Sequence, residues 1–221
     1  MPVLALPALL AGQLAAQSLN DALARIDKSA PQFKSMISDM KSDVHTAIVN
    51  DDTVDNGTMK LKRDKGVTLA LIEFTGADAK GVAFDGKTVS IYYPKIKTEQ
   101  IYDLGKNRGL LDQFLLLGFG STSAELKSAY NISWKGSENV NGKPADHLQL
   151  LPKSPEALMH LKRVDLWIPQ GSGIPVQQQF FTSASGDFRL VTYSNMKVNS
   201  SVEGSLKLNL PKGVHVERPT L

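Results

Sequence analysis

From Thr58 onward the apolar residues of this chain recur with a two-residue period. The segments TMKLKR, VTLALIEF, GVAFDGKTVSIYYPK, TEQIYDL, YNISWKGSENVNGKPADHLQLLP, RVDLWIP, IPVQQQFF, DFRLVTYSNMKV and SLKLNLPKGVHV carry alternating, β-branched or aromatic side chains. That pattern suits a pleated, half-buried surface and predicts strands. Turn residues separate them at Asp85-Gly86, Asn141-Gly142, Gly171-Ser172-Gly173 and Ser185-Gly186-Asp187. Asx-Gly pairs supply the positive φ values of tight hairpins, and short connections imply antiparallel neighbours. The expectation is a meandering antiparallel sheet of about nine to eleven strands, curled enough to have an inside.

Helical periods interrupt this rhythm. Leu19, Leu23 and Ile26 predict a short amphipathic helix over Leu19 to Lys28, which Pro31 then breaks. The next stretch fits two structures. Phe33, Ile37, Met40 and Val44 would share a helix face; Met36, Met40, Val44 and Ile48 would share a strand face with Ser38, Ser42 and Thr46. Farther on, GLLDQFLLLGFG (Gly109 to Gly120) predicts a helix over Leu110 to Leu117 with only a narrow polar edge at Asp112 and Gln113. A helix apolar almost all round is buried on most sides, and this one falls well short of the roughly 20 residues that cross a bilayer. SPEALMHL predicts a second short helix, with Ser154 as N-cap and Pro155 at its first position.

Composition narrows the function. The chain has 221 residues, 42% hydrophobic and 21% charged, enough for a real core in one domain or two small ones. A net charge of +3, spread without a basic block, gives no reason to expect nucleic acid as a partner. The absence of cysteine excludes disulfides, thiolate metal sites and thiol nucleophiles. MPVLALPALLAGQLAAQ, residues 1–17, has signal-peptide length and small residues at Ala15 and Ala16, but no basic start. Gln13 follows Leu10-Ala11-Gly12 where a lipidated Cys would stand. The expected product is an exported single domain, 18–221, in the periplasm and without its own lipid anchor.

Catalytic signals are weak. GVAFDGKT (Gly81 to Thr88) matches the phosphate-loop pattern G-x-x-x-x-G-K-[ST], but that loop needs a following helix and VSIYY follows instead. It reads as a hairpin. His45, His147, His160 and His215 lack metal-ligand spacing, and GFGST resembles a nucleophile elbow only superficially. Neither enzymatic activity nor a metal or cofactor is expected.

Taken in order, several pieces resemble the LolA-like family, periplasmic carriers of outer-membrane lipoproteins. LARIDKSAPQFKSMISDM is similar to the family's opening helix followed by its first strand, which would settle Met36 to Ile48 as strand. GTMKLKR resembles the strand ending in Lys-Arg-Pro, with Asp64 in place of Pro. FDGKTVSIYYPK resembles the Asp-Gly-Lys hairpin, LQLLPK the later strand ending in Thr-Pro-Lys, and LKLNLPKGVHV the closing strand.

The resemblance implies a mainly β (α+β) fold, an incomplete antiparallel barrel covered by short helices that form a lid. It implies a monomeric, non-enzymatic carrier that takes acylated lipoproteins from an inner-membrane lipoprotein-releasing transporter to an outer-membrane receptor or membrane. On that reading Met36, Met40, Leu69, Leu71, Ile91, Tyr93 and Trp134 line the lipid cavity. Leu110, Leu111, Phe114, Leu115 and Leu117 belong to the lid, and Arg63 gates it. Two other readings suit the same fold: a carrier of another lipid or glycolipid, and an envelope-stress domain that senses lipoproteins.

Overall fold

The computed structural model describes residues 7–64, 67–105, 117–182, 186–202, 204 and 206–220, with side chains from Ser18 onward except at Asp64. Twelve strands dominate: β1 (Ser35–Thr46), β2 (Asp51–Asp64), β3 (Val67–Thr75), β4 (Gly81–Phe84), β5 (Thr88–Tyr93), β6 (Thr98–Asp103), β7 (Tyr130–Val140), β8 (Lys143–Pro152), β9 (Arg163–Pro169), β10 (Gln177–Phe181), β11 (Phe188–Val198) and β12 (His215–Glu217). Among the described residues three α-helices accompany them: α1 (Pro7–Ser29), α2 (Ser123–Ala129) and α3 (Pro155–His160). The fold is mainly β, as expected, with one strand more than the predicted range. That strand is β1, the segment whose periodicity fits either structure.

Hydrogen-bonded neighbours follow the order β12-β6-β5-β4-β3-β2-β1-β11-β10-β9-β8-β7, so the sheet is open. It is not a simple meander, since β11 lies between β1 and β10. By its contacts the chain forms two compact units: Met1–Gln32 with Gly118–Leu190, and Phe33–Leu117 with Val191–Leu221.

In the second unit β1 and β2 make a long hairpin in unbroken register from Ser35↔Lys62 to Thr46↔Asp51. The turn places Asn50 at a positive φ of 47°, which Asn tolerates better than most residues. β2 begins seven residues before its apolar alternation does, because its polar opening simply continues the ladder with β1. Asn199 fastens β11 to β1: its Oδ1 accepts from the Lys34 amide at 2.8 Å, and its own amide donates to the Ser35 carbonyl at 2.8 Å. β12 pairs with β6 in parallel, not antiparallel as expected. The long connection after β11 makes a parallel return possible. The strand predicted for SLKLNLPKGVHV therefore shrinks to the residues of β12.

In the first unit several carboxylates have a definite task. Asp27 of α1 accepts from the Ser123 amide at 2.7 Å and the Ser123 hydroxyl at 2.6 Å, joining α1 to the start of α2. The hydroxyl bond, then the amide bond, hold the Asp27 carboxyl below its usual range. α2 escaped the sequence reading, yet Thr122 and Glu125 form a reciprocal capping box at its N-terminus. α3 starts as predicted, with the Ser154 side chain accepting from the Ala157 amide and Pro155 following. Asn141 and Gly142 adopt φ of 51° and 76° and turn β7 into β8. A Cβ at Gly173 would run into the Arg25 carbonyl, so this loop approaches α1 as only glycine permits.

Buried Asp146 gathers three donors: the Arg25 guanidinium, Trp134 Nε1 at 3.1 Å and Ser137 Oγ at 2.7 Å. Beside it, His147 stacks on Trp167 with ring centroids 4.6 Å apart. Its Nδ1 lies 2.8 Å from Glu138 Oε1, and its Nε2 lies 3.6 Å from Asp165 Oδ1. Trp167 Nε1 also donates to Glu138, at 2.9 Å. Burial works to lower the His147 pKa, but the nearby carboxylates of Asp165 and Glu138 outweigh burial and raise it above 6.5. The Trp167 bond, chiefly, keeps the Glu138 carboxyl below its ordinary value.

Two outcomes are expected. Gly173→Ala should destabilise the protein by about 1–3 kcal/mol in urea unfolding, because the obstacle is backbone. A histidine whose folded pKa is raised contributes stability that is complete below its unfolded pKa and lost as pH rises through the folded value. The native chain should therefore lose stability as pH climbs above about 6.5, with Glu138 ionised throughout. Urea unfolding of His147→Gln across that range should show the decline flattened; an unchanged slope would contradict the assignment.

Candidate functional site

Residues directly opposite each other in an antiparallel pair present their side chains to the same face. Met36, Ser38, Met40 and Ser42 of β1 stand opposite Leu61, Met59, Gly57 and Asp55 of β2. The same face continues through Ala70, Ile72 and Phe74 of β3, Phe84 and Val82 of β4, and Val89 and Ile91 of β5. Met36, Met40, Met59, Leu61, Ala70, Phe74 and Phe84 are buried. This is a continuous apolar surface within the second unit, five strands wide and carrying three methionines. At one end it turns polar. Asp55 meets Lys80 at 3.6 Å, and the Lys80 ammonium sits 4.9 Å from the centre of the Phe74 ring.

The sequence-predicted residues divide across this geometry. Met36, Met40 and Ile91 share the apolar face, and Tyr93, two residues beyond Ile91, shares it too. Leu69 and Leu71 lie on the opposite face, opposite Lys62 and Lys60. VTLALIEF is apolar at nearly every position, so its pattern does not tell the two sides apart. Met59, Leu61, Phe74 and Phe84 were missed, although Met59 and Leu61 alternate with Lys60 and Lys62 and could have been read. Trp134 belongs to the first unit, where it serves Asp146. Arg63 is exposed near the end of β2, and its amide donates to the Lys34 carbonyl at 2.8 Å. Leu117 is buried, while Leu110, Leu111, Phe114 and Leu115 lie outside the described residues.

Two polar atoms interrupt the apolar face. Ser38 is 2% exposed and Ser42 0%, and neither Oγ has a hydrogen-bond partner. Leaving a buried hydroxyl unsatisfied costs about 1–3 kcal/mol, so each is an exception that calls for a reason.

The opposite face holds a different feature. A cavity of about 240 Å³ lies against β4, β5 and β6, walled by Ala83, Ser90, Glu99, Leu206, Leu208 and Leu210 among others. At its edge is the phosphate-loop lookalike, which forms the predicted hairpin. Asp85 accepts from the amides of Lys87 and Thr88 at 2.8 and 2.7 Å. Burial acts to raise the Asp85 pKa, but these bonds prevail and lower it. A carboxylate occupying the loop's amides is the reverse of a phosphate cradle.

Asp146-His147, the sequence's nearest approach to a catalytic pair, is engaged by Arg25, Trp134, Ser137, Glu138 and Asp165 as described. Among the described residues no group of three or more His, Asp or Glu could hold a metal ion. Among them, too, no helix is long and apolar enough to cross a membrane.

No family model matches the chain, and no curated protein matches it. Solved structures do. An uncharacterized conserved protein from Thermus thermophilus matches with a TM-score of 0.54 at 14% identity, over 92% of this chain and 100% of that one. MucB matches with a TM-score of 0.53 at 15% identity, over 85% of this chain; the match spans only 61% of MucB. A LolA superfamily protein from Nitrosomonas europaea also matches, at 14% identity over 85% of this chain and 94% of that one, with a TM-score of 0.39. At these identities the likeness is one of fold alone.

Proposed function

We propose that this protein is a periplasmic, non-enzymatic carrier that shields lipoprotein acyl chains and moves them from the inner to the outer membrane. The observation that carries the reading is the continuous apolar face from β1 to β5 on one side of a sheet whose other side bears Lys60, Lys62 and Glu73. Such a surface suits hydrocarbon. Each methylene removed from water is worth on the order of 0.8 kcal/mol, about 12 kcal/mol for a long chain, so unassisted passage through water is negligible. A carrier has to match that burial and still release its load. Met36, Met40 and Met59 fit this need, because unbranched thioether side chains repack around chains of different shape.

Transfer then runs down a gradient of affinity. A transporter in the inner membrane supplies the loaded lipoprotein, and a receptor or the outer membrane itself holds it more strongly. A hydrolytic or redox step in the carrier is not required.

Two measurements test this. Organic extraction of protein purified from the periplasm, followed by mass spectrometry, should recover an acylated ligand in near-stoichiometric amount; extracts empty of lipid would count against a carrier. Ile91 and Leu69 are similarly half-buried but face opposite ways. Ile91→Asp should lower the recovered lipid at least about tenfold, since a carboxylate is costly in an apolar environment, whereas Leu69→Asp should leave it near the native level. Equal effects from the two substitutions would separate binding from this face.

A further inference from the structure

Ser38 and Ser42 stand on β1 in line with Met36 and Met40, opposite Met59 and Asp55 of β2. A serine hydroxyl has one proton to donate and two lone pairs. Both hydroxyls here are buried and unpartnered, on a face that Met36, Met40 and Met59 make apolar and Gly57 leaves bare. Asp55, the residue across from Ser42, pairs with Lys80 instead. A face meant only for core packing, or only for bare hydrocarbon, would do better with Ala at both positions. The two hydroxyls are spaced roughly 13 Å apart by four residues of extended chain, too far to serve a single oxygen. They also have a direction: Ser42 is the nearer to the Asp55–Lys80 pair, where the face becomes polar.

We propose that Ser38 and Ser42 are alternative recognition points for the carbonyl oxygen of an ester-linked acyl ligand, one hydroxyl donating to one carbonyl at a time, with the ligand's polar end toward Lys80. This rests on the carrier reading above and adds a selectivity to it. Ester-linked chains are held in preference to chains of the same length joined by ether bonds, which lack the carbonyl acceptor. The apolar face supplies most of the affinity and is indifferent to the linkage; the hydroxyls discriminate.

The test is a competition. Purified native protein is incubated with phosphatidylcholine vesicles holding equal amounts of dipalmitoyl phosphatidylglycerol and its dihexadecyl ether counterpart. After the vesicles are removed, the two probes carried by the protein are counted by mass spectrometry. One hydrogen bond to a carbonyl corresponds to an ester-to-ether ratio of about ten for the native chain. The double variant Ser38→Ala, Ser42→Ala should bring the ratio close to one while still carrying lipid. Unfolded chains would take up both probes alike, so the ratio is read on variant protein that elutes with the native form and keeps its far-UV spectrum. A native ratio near one, or a variant that keeps the native preference, overturns the hydroxyl assignment and leaves the carrier reading standing. A native protein that takes up neither probe overturns both.

Discussion

Met59 and Leu61 point to one side of β2, Lys60 and Lys62 to the other, and β1 sets Met36 and Met40 against the apolar pair's face. Sliding β2 by one residue would carry two ammonium groups onto the buried side and two large apolar side chains off it. That penalty, several kilocalories for each unpaired charge, pins the register of the longest hairpin in the chain. The rest of the second unit inherits it. β3 to β6 add on strand by strand, so the side on which Phe74, Phe84 and Ile91 emerge is decided by where the lysines of β2 cannot go.

Buried polarity is clustered in the first unit and scattered in the second. In the first, Asp146 is surrounded by three donors, and His147 is held between two carboxylates and an indole. Burial alone pushes the Tyr130 hydroxyl up to about 12, and otherwise the shifts there are set by hydrogen bonds. In the second unit Ser38 and Ser42 are left without partners on a surface otherwise devoted to hydrocarbon. The charged groups of the first unit hold one another in place, whereas the two serine donors keep their bonding capacity in reserve.

Much of the architecture was legible because the strands are amphipathic and their turns are chemically explicit. Asn141-Gly142, Asp85-Gly86 and Ser154-Pro155 each do what their residue types dictate. Where the pattern was uniform, legibility failed. VTLALIEF is apolar on both sides, so Leu69 and Leu71 could not be told from Ala70 and Ile72 without the pairing to β2. The opening of β2 is polar on both sides and is a strand only because β1 lies beside it. SLKLNLPKGVHV alternates like a strand, yet all but its end lies outside the ladder. Local period cannot say whether a neighbour's edge is free. The importance of Ser38 and Ser42 was also hidden. Their alternation with methionine is plain in the sequence, but the absence of a bonding partner is a property of three dimensions.

An open sheet has two ends, and each is a row of amide and carbonyl groups that another chain could extend. Here both ends are blunted. The terminal strand β12 is three residues long and is followed by Arg218 and Pro219, a charge and a residue with no amide proton to offer. At the other margin β7 is long, but its ladder slips between Trp134 and Gly136, where Gly136 takes a φ of 127° and bends the strand. Both margins of the sheet thus carry features that disfavour the docking of a further strand.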